Sequence, residues 1–238
     1  MNSYVEKAAA ASKWARWFLW LNVASLFLAL LTDLNERSVI GKVREAGGVA
    51  TGDLAELALQ SDRFQLYVWI LVLAALVLTS IFYSIWLYRA VRALLEIGVP
   101  DFPVTPGWAV GYFFVPFINL YRPYQIHNDL AKASEHAPAH DWKARPNAPI
   151  VGLWWGGWLA GGLVGRISQR LTRGEPDLGQ LSTANLLSLL SSLMLIVSAI
   201  AAVGMVARIV SEQSRARLSA AVPPHTGPES PSGPQVPA

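Results

Sequence analysis

"PGWAVGYFFVPFINLYRP", Pro106 to Pro123, is the stretch on which the architecture of this chain turns. It is apolar enough to enter a membrane, yet prolines stand at its start, near its middle and at its end. As a helix, Pro106 to Tyr121 would cover about 24 Å, short of the roughly 30 Å of hydrocarbon in a bilayer. Pro116 also removes a backbone hydrogen bond that lipid cannot replace. The stretch therefore reads as a proline-kinked re-entrant or interfacial segment, with a fifth crossing as the alternative.

The surrounding composition makes lipid the relevant solvent. The 238 residues are 53% hydrophobic and 15% charged, with a mean hydropathy of +0.35; soluble domains carry about 25% charged residues. Ten Trp, seven Tyr and eight Phe suit rings that anchor at membrane interfaces. The net charge of +3 is spread over short basic flanks beside apolar runs, which reads as a topology signal and not as a nucleic-acid surface. The chain has no cysteine, so disulfides, thiolate metal sites and a cysteine nucleophile are excluded.

Four runs are long or apolar enough to span. Trp14 to Thr32 follows Lys7 and Lys13, and no cleavage-site pattern follows it, so it reads as an uncleaved first helix. Leu66 to Tyr88 contains no charge and is closed by Arg89 and Arg92. Ile150 to Gly165 repeats small residues at four-residue spacing, Gly152, Gly156 and Gly157, Gly161 and Gly165, the pattern that lets helices approach closely in lipid. It can extend to Leu171 if Arg166 and Arg170 snorkel. Asn185 to Ala207 carries Ser188, Ser191, Ser192 and Ser198; Leu195 interrupts a polar line through Ser191, so these hydroxyls are expected to bond to carbonyls of their own helix.

The connections are read in the same way. Between the first two runs, Val39, Ile40 and Val43 share a helical face, Gly47 and Gly48 break it, and Asp53 with Glu56 resembles a capping box for a second short helix. After the opening stretch, Pro123 suits a first helical turn, and Ile126, Leu130 and Ala133 lie on one face of an amphipathic helix along the membrane surface. Residues 1–218 are thus expected to form a helical membrane domain, and 219–238, dominated by Pro, Ser and Gly, a disordered tail. No internal repeat is evident, which gives an inverted-repeat transporter no support.

Lysine and arginine near span ends favour the cytoplasmic side. Lys7, Lys13, Arg89 and Arg92 place the N-terminus there, and a non-crossing 106–121 leaves only Arg166, Arg170 and Arg173 on the wrong side. The expected location is the cytoplasmic membrane, as a multi-pass protein.

Candidate chemistry is sparse. His127, His136, His140 and Asp141 invite a metal-site reading, but Pro138 breaks the helix that would align them, so they read as solvated surface residues and no metal or cofactor is assigned. No nucleophile elbow, zincin motif or phosphate loop is present, which points away from an enzyme. The centres of the four runs carry no ionisable residue, which argues against coupled transport. Asn119 reads as a cap for amides freed by Pro116, or as a ligand contact at the broken backbone. Trp108 and Tyr112 read as interface anchors, and Arg122 with Tyr124, Arg89 and Arg92 as holders of a lipid phosphate.

The stretch "TPGWAVGYFFVPFINLYRPYQIHNDLAKAS" followed by "LWWGGWLAGGLVGRIS" resembles the bacterial membrane-protein family catalogued as domain of unknown function 4328. The resemblance covers about residues 66–207 and rests on Pro106, Trp108, Pro116, Asn119, Pro123 and Ser134, with Trp154, Trp155 and Trp158 in the following helix. It implies an architecture and no activity. The functional expectation is a membrane protein that acts through lipid or protein-partner contacts at its cytoplasmic face, centred on Pro106 to Ser134. The alternative is a channel or uncoupled transporter lined by the broken segment.

Overall fold

The computed structural model describes residues 3–137 and 141–221, and every regular element among them is helical. In chain order these are α1 (Tyr4–Glu45), α2 (Asp53–Ile97), α3 (Pro106–Gly111), a 3₁₀ turn (Ile118–Leu120), α4 (Arg122–Glu135), a second 3₁₀ turn (Trp142–Ala144), α5 (Pro149–Leu171) and α6 (Leu178–Ala221). Three of them, α1, α2 and α6, are long and apolar enough to cross a membrane. In α5, tryptophans and glycines dilute the aliphatic content, though its 23 residues would reach about 35 Å.

The long helices overrun a bilayer. The 42 residues of α1 extend about 63 Å, because the expected first span and the Val39–Val43 helix form one continuous element. Likewise α2 joins the expected short second helix to the Leu66–Tyr88 run. Residues 46–52 break the chain between them, with Gly47, Gly48 and Gly52 at φ +88°, +92° and +56°, a conformation that costs glycine little. The expected capping box does not form: Gly52 is the N-cap and no side chain caps it.

Hydrogen bonds fix the register of an antiparallel bundle. Thr79 on α2 donates to the Phe18 carbonyl of α1 (2.9 Å), Ser198 and Ser191 on α6 donate to the Trp154 (2.6 Å) and Gly161 (2.9 Å) carbonyls of α5, and Arg217 on α6 reaches Glu6 on α1 (2.9 Å). Thus α1 is antiparallel to both α2 and α6, and α5 is antiparallel to α6. The serines therefore bond between helices, against the expectation that they would bond to their own carbonyls. The reason is proximity, since α6 lies so close to the glycines of α5 that a neighbour's carbonyl is within reach.

On α1 the buried positions Ala8, Ala15, Leu19, Leu26, Ala29, Ile40 and Val43 recur at helical spacing, with alanine where helices touch. The outward face is just as apolar: Trp14, Trp17, Phe27, Leu66, Ile70, Leu73, Val77 and Ile81 are all exposed. A band of that size has no place in water and is ordinary in lipid. The predicted tail begins within a helix, for α6 continues through Ala221; the rest of 219–238 lies outside the described residues, as does His140.

Candidate functional site

The segment between α2 and α5 builds a cap on one end of the bundle. Gly98, at φ +85°, ends α2, and the Thr105 side chain accepts from the Trp108 amide (3.4 Å) to start α3 at Pro106. After six residues the helix gives way to single turns: the Phe114 amide bonds to the Gly111 carbonyl (3.0 Å) and the Asn119 amide to the Val115 carbonyl (2.9 Å). Phe117, directly after Pro116, is held at φ +62°, a conformation that costs a bulky residue of order 1–3 kcal/mol. It is 83% exposed and Phe114 78%. Trp108, Leu120 and Tyr121 are exposed beside them, so the broken backbone carries an apolar crest. The Leu120 carbonyl is satisfied from behind by the Trp155 indole (2.8 Å).

α4 is bound to the same end of the bundle. Ile126, Leu130 and Ala133 are buried, in keeping with their period, but so is His127, at 0% exposure, which corrects its assignment to the surface. Its Nδ1 bonds the Pro123 carbonyl (2.7 Å) and so carries the hydrogen; Nε2 then accepts from the Tyr83 hydroxyl (2.8 Å). Trp154 closes over the ring at 4.5 Å. Burial pushes the imidazole down to about 4, against the upward pull of the Pro123 carbonyl. Asn128 accepts from the Ala148 amide (3.0 Å), and Gln213 donates to the Ala90 carbonyl (3.0 Å) and the Ser134 hydroxyl (3.2 Å). α4 is thereby tied to α2, α6 and the start of α5.

The expected contact residues fall into two groups. The Arg122 guanidinium lies over the Tyr112 ring (5.1 Å) and donates to Gln125 (3.0 Å), and Tyr112 packs on Trp108 at 5.2 Å. Beside them a groove of about 280 Å³ is lined by Arg122, Tyr124, Gln125, Asn128, Asp129 and Asn147. Arg89 and Arg92 are engaged elsewhere: Arg89 donates to the Lys7 carbonyl (3.4 Å), and Arg92 bonds the Tyr4 hydroxyl (3.2 Å) and covers its ring. No hydrogen bond or ion pair among the described residues joins the two groups. The Asn119 side chain makes no hydrogen bond among the described residues; backbone turns supply the partners that it was expected to provide.

The glycines of α5 also divide. A Cβ at Gly157 would lie 3.1 Å from Ser198 Cβ, at Gly161 2.9 Å from Leu195 Cγ, and at Gly165 2.9 Å from Ser191 Oγ, whereas Gly152 and Gly156 face open space.

A second polar site stands at the opposite end of the bundle; of its side chains the sequence singles out only Ser188 and Ser192, and those as donors to their own helix. Asp33, one position beyond the Trp14–Thr32 run, is 0% exposed. Its carboxylate accepts from Ser188 (3.0 Å), Ser192 (3.3 Å) and Gln65 (3.1 Å). Gln65 also donates to Glu36 (3.0 Å), and Asn185 donates to the Asp33 carbonyl (2.7 Å) and to Glu36 (3.0 Å). Burial pushes the Asp33 carboxyl up to about 6 in spite of these donors. A cavity of about 240 Å³ adjoins the cluster, with Glu36, Gln65, Trp69, Asn185 and Ser188 in its wall. The sequence does carry a signal for it: Asn185, Ser188 and Ser192 fall at i, i+3 and i+7, one stripe of α6.

A family model described as Domain of unknown function (DUF4328) matches residues 50–211. Neither the curated proteins nor the solved structures contain a match to the chain.

Proposed function

We propose that this chain, which belongs to the DUF4328 family, is a multi-pass protein of the cytoplasmic membrane with four spans, whose segment 106–135 forms an interfacial cap that engages lipid. The spans would be Trp14–Thr32, Leu66–Tyr88, the length of α5, and Asn185–Ala207. Their antiparallel register supports this count, because it brings Lys13, Tyr88, Pro149 and Arg208 to one end and Asp33, Gln65, Leu171 and Asn185 to the other. With four crossings both long terminal helices end on the same side, as the Glu6–Arg217 ion pair requires. The concentration of Lys7, Lys13, Arg89, Arg92, Arg122, Lys143, Arg208 and Arg215 at that end favours placing it in the cytoplasm.

The single observation that carries the functional reading is the exposed crest of Phe114 and Phe117, a few residues before Arg122 in the chain. Two aromatic rings held outward on a strained turn stack on no other ring among the described residues; acyl chains would accept them, and a lipid phosphate would meet the guanidinium. A channel or uncoupled transporter has weaker support, since the inner side of the segment is filled by Phe113 packed edge-on against His127 and Trp155. A protein partner on the same face would use the groove at Arg122 and Tyr124. The test is a spin label on Phe117→Cys in nanodiscs. Faster collision with oxygen than with a water-soluble nickel chelate is expected; the reverse would refute lipid insertion.

A further inference from the structure

We infer that the cavity beside Asp33 is a binding site for a small organic cation, a primary alkylammonium, taken up at the end of the bundle remote from the cap. Three observations carry it, and none depends on the lipid reading.

The first is an imbalance of charge. Asp33 and Glu36 bring two carboxylates to one place, and none of the ion pairs among the described residues involves either. Neutral donors alone serve them, and those donors are spent: both hydrogens of the Gln65 amide go to Asp33 and Glu36, and both of the Asn185 amide go to the Asp33 carbonyl and Glu36. What the site lacks is a positively charged donor.

The second is an acceptor left over. Asn185 is 3% exposed, lines the cavity, and its Oδ1 has no hydrogen-bond partner among the described residues. The amide cannot be reversed to relieve this, because its nitrogen already serves two oxygens. A buried acceptor without a donor is rare and marks a missing partner.

The third is the wall. Trp69, Leu181 and Ala184 supply apolar surface to the same cavity. About 240 Å³ is large for a bare metal ion, which needs a close cage of oxygens, and suits an ammonium group with a short alkyl chain. The ammonium would donate to Glu36 and Ser188 in the wall and, on a small side-chain shift that opens the buried Asn185 Oδ1 to the cavity, to that oxygen, with Trp69 in the same wall to face the cation. Asp33, behind Ser188, would act through it as a positioning residue.

The test uses full-length protein in detergent and calorimetric titration with n-butylammonium chloride, with butanol, sodium chloride and calcium chloride as comparison probes. Saturable binding of butylammonium is expected, with none of butanol. Glu36→Gln should weaken it about tenfold or more, the scale of losing one charge-assisted partner, and Trp69→Leu severalfold. Arg215→Gln, an exposed change at the other end, should leave it unchanged. Glu36→Gln is isosteric, and an unchanged melting temperature would establish that it folds. The proposal is overturned if butylammonium does not saturate, if butanol binds equally, if Glu36→Gln has no effect, or if calcium or sodium alone fills the site with the same dependence on Glu36.

Discussion

The Tyr83 hydroxyl donates a 2.8 Å hydrogen bond to Nε2 of His127, across 44 residues of chain and between two buried rings. The bond joins α2 to α4 and holds the cap at a fixed depth against the bundle. Because the Pro123 carbonyl takes the Nδ1 hydrogen, the tautomer is set and Nε2 must find its donor in Tyr83.

Tyr83→Phe should therefore destabilise the protein by about 1–3 kcal/mol, the cost of leaving a buried acceptor unmade. His127→Leu removes both partners' demands except for the Tyr83 hydroxyl and should cost a similar amount. The double variant Tyr83→Phe, His127→Leu should cost less than the sum of the two, since each single change strands the other group. Thermal unfolding in detergent measures all three.

Stability should depend on pH through the same residue. The folded imidazole is pushed down to about 4, while the unfolded side chain titrates near 6.5. Above about 6.5 both states are neutral and nothing changes; below it the unfolded state binds the extra proton, and stability falls by up to about 1.4 kcal/mol per pH unit until the folded pKa is reached. Asp33 contributes with the opposite sign, since its carboxyl is raised to about 6 and protonation relieves its burial as pH falls. The difference between wild type and His127→Gln isolates the histidine: the variant should lose less stability between pH 6.5 and 4.5. Parallel curves would contradict the burial of a neutral ring.

The α5 glycines should respond unequally. Gly161→Ala drives a methyl to 2.9 Å from Leu195 Cγ and 3.2 Å from Met194 Cβ, and should cost about 1–3 kcal/mol as an overpacked helix contact. Gly152→Ala meets nothing within 4 Å and should be neutral or stabilising by about 0.5–1 kcal/mol, the helix-propensity gain. Denaturant titration of the two variants separates a packing stripe from a merely flexible helix.

What could be read in the sequence follows from which forces are local. The apolar runs of α1, α2 and α6, the break at Gly47 and Gly48, and the buried face of α4 at Ile126, Leu130 and Ala133 are periodic features of single segments. The partners of Ser191 and Ser198 are not. Which carbonyl a hydroxyl reaches depends on the register of α6 against α5, and that register is set by the absent side chains of Gly157, Gly161 and Gly165. His127 reads as solvated because it falls off the Ile126, Leu130 and Ala133 stripe among Asn128, Asp129 and Lys132; the hydroxyl that satisfies it stands on another helix. Asp33 stands one position beyond an apolar run with nothing beside it in sequence to mark a site, and the donors that make it a buried centre arrive from Gln65 on α2 and from α6, some 150 residues later.

The central claim is that segment 106–121 enters and leaves on one side of the membrane. The chain has no cysteine, so single cysteines at Pro103, Gln125 and Glu175, all exposed, can be tested in intact cells with a membrane-impermeant thiol reagent. Pro103→Cys and Gln125→Cys should both be protected, and Glu175→Cys labelled. Opposite labelling of Pro103→Cys and Gln125→Cys would mean that the segment crosses, as a fifth span, and would contradict the account.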